Sequence, residues 1–572
     1  MSERLRVALL LAVPILVYAN TLLNGFVFDD ETYIFSNPAV THVTAPALFR
    51  PLKANNVFRP VTFATLALNW KLGGARPLGY HLCNLLLHAA VTLLLYLVLR
   101  KLLESMPQAG TVAFVSALIF AVHPIHTEAV AWITARSELL AAFFLLGAWI
   151  LHLNDQQVLA LVCLVLAMMS KESAVVFLPL AMAGDYARGK LKPYYRYGLI
   201  AGTMALYLGV FWKIEGGRFG EKIIDFLDNP MASLPASLRI FNALGIAWKY
   251  IGLLLYPGTL SSDYSYNAIR LYSNWRNLVP AAVASLLVLA AWFWAFRTRR
   301  KEWFLAGAIY LGAFSVTANL LLPTGTIMAE RLAYLPSAGF CLLAALTWSQ
   351  IENRRRVFAW AVLTIVVVSL SVRTVIRNGN WRGNFTLFWT DAQAVPGSAK
   401  VHSNLGVEYG RMGQSERALA EFETAVNIYP DLPEALEGYG LALSQTGHAQ
   451  EARPYLQKAV SMISPNGVHY DGWKINLAAL LIELDQNDEA LNILNEESTK
   501  TPQESRVWSN RAVIQFRHGK HAAARADAET SLRLDPGNTQ ARSLLSVLNG
   551  ATAEAPPPKV NPISLGLLLP GR

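Results

Sequence analysis

"AKVHSNLGVEYGRMGQSERALAEFETAVNIYPDL" (Ala399–Leu432) is 34 residues long, and the chain that follows repeats its skeleton. Gly406 and Gly440 are 34 residues apart, as are Ala418 and Ala452, and Ala425 and Ala459. After a four-residue insertion the register resumes with Ala490 and Ala524, and Pro502 and Pro536 close their units. Small residues at fixed spacing let paired helices approach closely, and a proline at the end of each unit stops the second helix. The expected units are 399–432, 433–466, 471–504 and 505–538.

A 34-residue period with Tyr409, Phe422 and Pro430 at these positions is the pattern of the tetratricopeptide repeat. Such repeats stack into an α-solenoid, which holds protein partners in a concave groove and seldom performs chemistry. The tail 549–572, with Pro556, Pro557 and Pro558, lacks the apolar content for a core and is expected to be disordered.

Moving N-terminally, the composition changes. The 572 residues are 53% hydrophobic and only 15% charged, against about 25% charged in ordinary soluble domains. Residues 1–398 hold 33 Lys and Arg against 19 Asp and Glu, whereas 399–572 hold 16 against 20. The basic excess lies in short clusters between apolar runs. That pattern is a topogenic signal, and it argues against a nucleic-acid partner. Cys83, Cys163 and Cys341 stand singly in apolar stretches, without metal or redox spacing.

Twelve apolar stretches are visible: 5–23, 79–99, 111–125, 137–153, 158–170, 173–184, 195–212, 237–256, 277–296, 303–322, 331–349 and 357–376. The first is long enough to span rather than serve as a cleaved signal. Basic clusters at Arg4/Arg6, Arg100/Lys101, Arg188–Arg196, Arg297–Lys301 and Arg354–Arg356 should share the cytoplasmic side. They do so only if one stretch does not cross. Stretch 237–256 sets Arg239, Asn242 and Lys249 on one helical face, as an interfacial amphipathic helix would. The expectation is an all-α membrane domain over 1–395 with eleven spans, N-terminus in, followed by external repeats.

This parity collects four segments outside: the 24–78 loop, the 123–138 turn, the 170–173 turn and the 323–331 turn. They hold the polar candidates Asp29, Asp30, Arg59, His126, Glu128, Arg136, Lys171, Glu330 and Arg331, and Tyr334 follows three residues after the last turn. Each has an ordinary reading beside a functional one. Adjacent acids open many solvated loops, and a Lys-Glu pair at a span end is commonly an anchor. Arg331 either contacts phosphate or pairs with Glu330. His123 and His126 have no third ligand fixed by spacing, so a metal is the less favoured reading. His81, Asn84 and His88 form one polar stripe on an apolar helix, which suits hydrogen bonding between helices.

Six motifs follow one another in a set order: "FVFDDETYIFSNPAV" (26–40), "FRPVTFATLALNW" (58–70), "GYHLCNLLLHA" (79–89), "HPIHTEAVAWITARSELLAA" (123–142), "SKES" (170–173) and "ERLAYLPSAGF" (330–340). In this order the sequence resembles the transmembrane-and-tetratricopeptide-repeat proteins, O-mannosyltransferase-like members of the GT-C glycosyltransferase superfamily. The resemblance implies a sugar donor on a polyprenyl phosphate, bound from the external leaflet, and an acid of the first external loop as general base. Asp29 is then the preferred base, with Asp30 beside it in acceptor or sugar binding.

Arg59, His81, His126, Glu128, Arg136, Lys171, Glu330, Arg331 and Tyr334 become the candidate substrate-binding set, the cations meeting the lipid phosphate. The acceptor implied is a protein Ser/Thr hydroxyl recruited by the repeats, the sugar mannose or another hexose. The chemistry requires no cofactor beyond the lipid-linked donor. The setting would be a bacterial inner membrane with repeats in the periplasm, or the endoplasmic reticulum membrane in a eukaryote. Two other classes compete: a non-catalytic membrane scaffold, and a translocase of lipid-linked sugar, which would need polar residues on both sides.

Overall fold

A computed structural model describes residues 1–52, 57–214, 224–320, 323–462 and 470–550. Among these, helices are the regular structure, with one isolated bridge between Leu52 and Val57. Most of the tail expected to be disordered lies outside the described residues. The chain divides into two compact units after Val395.

In the first unit each of the twelve apolar stretches contains a helix, but the lengths differ, and the helix of stretch 303–322 ends at Phe314. Seven helices are long and apolar enough to cross a membrane: Glu3–Leu23, Pro77–Leu102, Arg136–Leu153, Tyr194–Ile214, Ala236–Leu255, Trp275–Arg297 and Arg356–Asn380. The others are short: Ala109–Val122, Gln157–Ser170, Phe177–Arg188, Lys301–Phe314 and Ser337–Glu352. At about 1.5 Å per residue they fall below the roughly 30 Å of a bilayer core. Ala109–Val122 and Pro124–Ala131 qualify as an eighth span only as a pair bent by 54°. The break falls at Pro124, which has no amide hydrogen to continue the helix. The count of eleven thus does not follow from helix length.

The contacts sort the helix ends into two groups. At one end Glu3 pairs with Arg100, Lys101 bonds Asn154, Arg188 and Lys190 share Glu104, and Lys192 and Arg196 share Asp155. A Cβ built on Gly189 would lie 3.0 Å from Lys301 Nζ, so the Arg297–Lys301 cluster joins the same end. The four polar turns meet elsewhere. The helix Ala236–Leu255 bonds two of these turns, Tyr250 donating to the Ala329 carbonyl and the Leu254 carbonyl meeting His123, while Asn242 donates to Tyr272 and Trp248 to Ala281 and Ser285 of the helix Trp275–Arg297. Tight packing completes the unit where Gly339 faces the backbone of Ala306 and Tyr310, leaving no room for a side chain.

The second unit is a run of helix pairs: Ala399–Arg411 with Ser415–Ile428, Pro433–Gln445 with Ala449–Met462, Tyr470–Glu483 with Asn487–Lys500, and Ser505–Arg517 with His521–Leu534. A further single helix, Thr539–Leu548, follows them, and the repeat spacing does not announce it. The periodic alanines 418, 425, 452, 459, 490 and 524 are all fully buried, as close helix packing requires. The turn within each pair needs a left-handed residue. Gly413, Gly447 and Gly519 supply it at φ of 70°, 88° and 73°, and Asp485 takes the equivalent place at 61°.

Candidate active site

The four polar turns converge. Residues 27–30 form a tight turn whose centre is Asp30. Its Oδ2 accepts the Val27 amide at 3.0 Å and its Oδ1 the Thr134 amide at 3.1 Å. This carboxyl is fully buried and ties the acid loop to the 132–135 segment. Burial pushes it up to about 7, against the pull of both amide hydrogen bonds. Asp30 is therefore a structural carboxyl, its oxygens committed to backbone. Asp29 is half-buried and lies within electrostatic reach of Arg331.

Phe28 precedes Asp29 in a left-handed conformation, φ 56°. For an aromatic residue this costs on the order of 1–3 kcal/mol and persists only where its surroundings impose it. Here they do. The Phe28 amide donates to Asn384 Oδ1 at 2.8 Å, and its ring packs edge-on against Trp132 at 5.5 Å and against Phe388 at 6.1 Å.

Three ion pairs surround this turn, each joining different segments. Glu128 accepts from the Arg331 amide at 2.7 Å and pairs with its guanidinium. Glu138 pairs with Lys171. Glu172 meets Arg59 through Nη2 at 2.9 Å and Nε at 3.3 Å. Lys171 and Glu138 are nearly enclosed, and burial lowers the Lys171 ammonium, with Glu138 opposing. Arg331 is more open, its side chain 24% exposed, and only Nη1 is taken by Glu128, so further donors of the fork remain. Its cation also lies 5.1 Å from the Trp132 ring. Of the cations expected to meet a phosphate, Arg331 is the better presented.

Arg136 does not join them. It is fully buried, and Nε, Nη1 and Nη2 donate to Asn84 at 2.8 Å, Asn69 at 2.6 Å and the Tyr80 carbonyl at 2.9 Å. Asn84 in turn donates to the carbonyls of Val130, Trp132 and Ile133. With all three nitrogens bonded to the protein and the side chain fully buried, Arg136 holds the turn in shape. His126 is likewise internal: its nitrogens meet the Phe120 carbonyl at 2.9 Å and Ser337 at 2.8 Å. Tyr334 is buried and bonds His88 at 2.8 Å. His81 is buried and reaches the Gly25 carbonyl at 3.3 Å, behind the acid loop. These three serve packing. Among the described residues, no group of three or more His, Cys, Asp or Glu is arranged to hold a metal ion.

Glu330 belongs to a second buried cluster. Its Oε1 accepts from the Ser261 amide at 2.6 Å and from Tyr264 at 2.7 Å, and burial pushes its carboxyl up to about 8, Arg377 opposing. Asp391 accepts from Ser262 and from Arg377 at 3.2 Å. A stack connects the two clusters: Arg331 over Trp132, Trp132 on Trp381 at 6.3 Å, and Arg377 over Trp381 at 5.8 Å. Sequence reasoning missed Tyr264, Arg377, Trp381, Asn384 and Asp391. The only signal available was a pair of charges, Arg377 and Asp391, close after the last apolar run.

Residues 404–467 and 445–514 match family models described as tetratricopeptide repeat. Over the longer chain, the protein is 30% identical to "Protein O-mannosyl-transferase F38B6.6" of Caenorhabditis elegans, across 74% of this chain and 62% of that protein. It is 27% identical to "Protein O-mannosyl-transferase TMTC3" of Mus musculus, across 93% of this chain and 64% of that protein. The Homo sapiens protein of the same name is similar at 27%, with the same coverage of both chains. The chain thus spans a little over three fifths of the length of these relatives. It is similar to the transmembrane-and-tetratricopeptide-repeat proteins across its membrane unit and its repeats.

Proposed function

We propose that this protein is a membrane glycosyltransferase of GT-C type. It moves mannose or another hexose from a polyprenyl phosphate to a hydroxyl acceptor, which the repeats recruit as a Ser or Thr of a protein. The single observation that supports this reading is the convergence on Trp132 of Arg331, at 5.1 Å, and of the turn that carries Asp29, through the Phe28 ring at 5.5 Å, from segments about 300 residues apart in sequence. That brings the acid loop and an open cation to one aromatic side chain, at the end of the unit away from the basic clusters. A lipid phosphate is confined to the bilayer surface, so a soluble hydroxyl can meet it only at such an end.

The chain's residues then divide the reaction. Asp29 takes the proton of the acceptor hydroxyl as its oxygen attacks the anomeric carbon. Such assistance contributes about 10²–10⁴-fold. The lipid phosphate departs from the opposite face of the sugar, inverting the anomeric configuration, and Arg331 offsets its charge. Asp30, Arg136 and the Glu128 pair hold the geometry. The bonds of Tyr250 to Ala329 and of the Leu254 carbonyl to His123, both at the polar turns, support Ala236–Leu255 lying in the interface, and with it eleven crossings and external repeats. The short helices are then crossings, three of them extended by a neighbouring 3₁₀ turn: Ala109–Val122 by Pro124–His126, Phe177–Arg188 by Glu172–Val176 and Ser337–Glu352 by Glu330–Ala333.

The test is transfer from synthetic polyprenyl-phosphate mannose to a Ser/Thr peptide by the purified full chain. Wild type should transfer, and Asp29→Asn should not, while both bind the donor. A scaffold would show no transfer in either and would keep its partners in both.

A further inference from the structure

We infer that Asn384 is a positioning residue for this reaction: by accepting the Phe28 amide it holds the left-handed turn that presents Asp29. The inference rests on the transferase reading for its consequence and on geometry for its substance.

The acid loop enters the site from the N-terminal helix and has little regular structure of its own. Between Asn24 and Asp30 its backbone is held from three sides. Asp30 ties its far end to Thr134. The near end is tied to the other end of the membrane unit in sequence: the Gly25 amide donates to the Arg382 carbonyl at 3.0 Å and Asn24 donates to the Asn378 carbonyl at 3.0 Å. In the middle stands Phe28, in a conformation that a side chain disfavours, and its amide is met by Asn384 at 2.8 Å.

Asn384 opens the helix Asn384–Ala394, and that helix is itself locked. Phe388 is buried against the Phe28 ring, and Asp391 holds Ser262 and Arg377 at the helix's far end. A short helix anchored at its far end and carrying an acceptor at its near end makes a rigid support. The supported residue lies directly before the proposed base, and its ring lies on Trp132, which carries Arg331. Loss of the Asn384 acceptor removes the bond that opposes relaxation of φ at Phe28. A relaxed Phe28 rotates the next peptide, and with it the carboxylate of Asp29. Donor contacts, which lie on Arg331, are not altered by that rotation.

The experiment compares wild type with Asn384→Ala and Asn384→Asp in the full chain, by two readouts. Asp keeps an acceptor oxygen, and Ala does not. The first readout is amide hydrogen exchange over residues 25–32. Asn384→Ala should speed exchange at Phe28 by about tenfold or more, as expected for one lost bond, and Asn384→Asp should preserve protection. The second is steady-state transfer. Asn384→Ala should lower kcat by about 10²-fold, the scale of a misplaced group, with donor KM within about twofold, and Asn384→Asp should restore most of the rate. Wild-type exchange in Asn384→Ala, or an Asp variant as impaired as Ala in both readouts, overturns the inference. If wild type transfers no sugar, the transferase reading falls, and the exchange data alone decide whether Asn384 holds the turn.

Discussion

The longest ion pairs in the two units reach very different distances along the chain. In the membrane unit Arg59 meets Glu172, 113 residues away, and Arg331 meets Glu128, 203 residues away. In the repeats Arg511 meets Asp527 at 16 residues, His402 meets Glu421 at 19, and Arg453 meets Glu489 at 36. A solenoid is a chain of nearest-neighbour contacts, so its polar bonds recur at about one repeat length or less. The membrane unit gathers remote turns into one place. Its polar groups are tied to each other one by one, and each is singular. Damage should therefore stay local in the repeats and spread in the membrane unit.

The largest effect should come from Arg331→Ala. It removes the most open cation and leaves Glu128 enclosed without its partner. Stranding one partner of a buried pair costs on the order of 3–5 kcal/mol, so the melting temperature should fall as well as transfer. Arg331→Ala with Glu128→Gln should recover the stability and leave transfer lost. Recovery of both in the double variant would remove Arg331 from the chemistry.

Deleting 396–572 should act on one substrate class only. The apparent KM for a large protein acceptor should rise by about 10²-fold, the scale of lost effective concentration, while slow transfer to a short peptide persists. A truncated, folded protein that binds donor and transfers to nothing would make the repeats part of the reaction site.

Asp30 supplies a smaller, pH-dependent effect in the membrane unit. Its folded value, about 7, lies above the ordinary carboxyl range, so the neutral form is favoured in the folded state. Its contribution to stability is greatest below about pH 4 and is lost as pH rises towards 7. Asp30→Asn should flatten this part of the stability profile, measured as melting temperature between pH 4 and 8, while costing one of the two amide bonds at every pH.

Glu437 is its counterpart in the repeats and should give the smallest effect. It is buried, accepts from Asn476 at 2.6 Å, and is pushed up by burial to about 8. Its stabilising contribution is present below about pH 4.5 and disappears as pH approaches 8. Glu437→Gln keeps the acceptor for Asn476. The variant should therefore match wild type at pH 5 and unfold at higher temperature than wild type at pH 8. Equal melting at both values would show that Glu437 stays ionised.

Some of the site was open to sequence reasoning because the parity of basic clusters does not depend on packing. Charge bias along the chain was enough to group the 24–78, 123–138, 170–173 and 323–331 segments. It was not enough to rank the groups within them. Asp29 and Asp30 are adjacent and chemically identical, and only their surroundings separate them. Arg136 and Arg331 both sit in polar turns, yet Arg136 is fully buried with every nitrogen bonded to the protein, and Arg331 is partly exposed. Asn384 gave no signal at all, since a polar residue after the last span is unremarkable until Phe28 is seen opposite it.

The sequence by itself determined the repeats, since a 34-residue period specifies small residues, turns and breakers within a single local unit. It also determined the twelve apolar helices, through hydrophobic runs that need no partner to be recognised. Tertiary structure decided which charges face which. Burial and hydrogen-bond partners, not residue type, set whether a carboxylate is a brace or a candidate base. Those partners are brought together only when helices that are distant in sequence pack side by side.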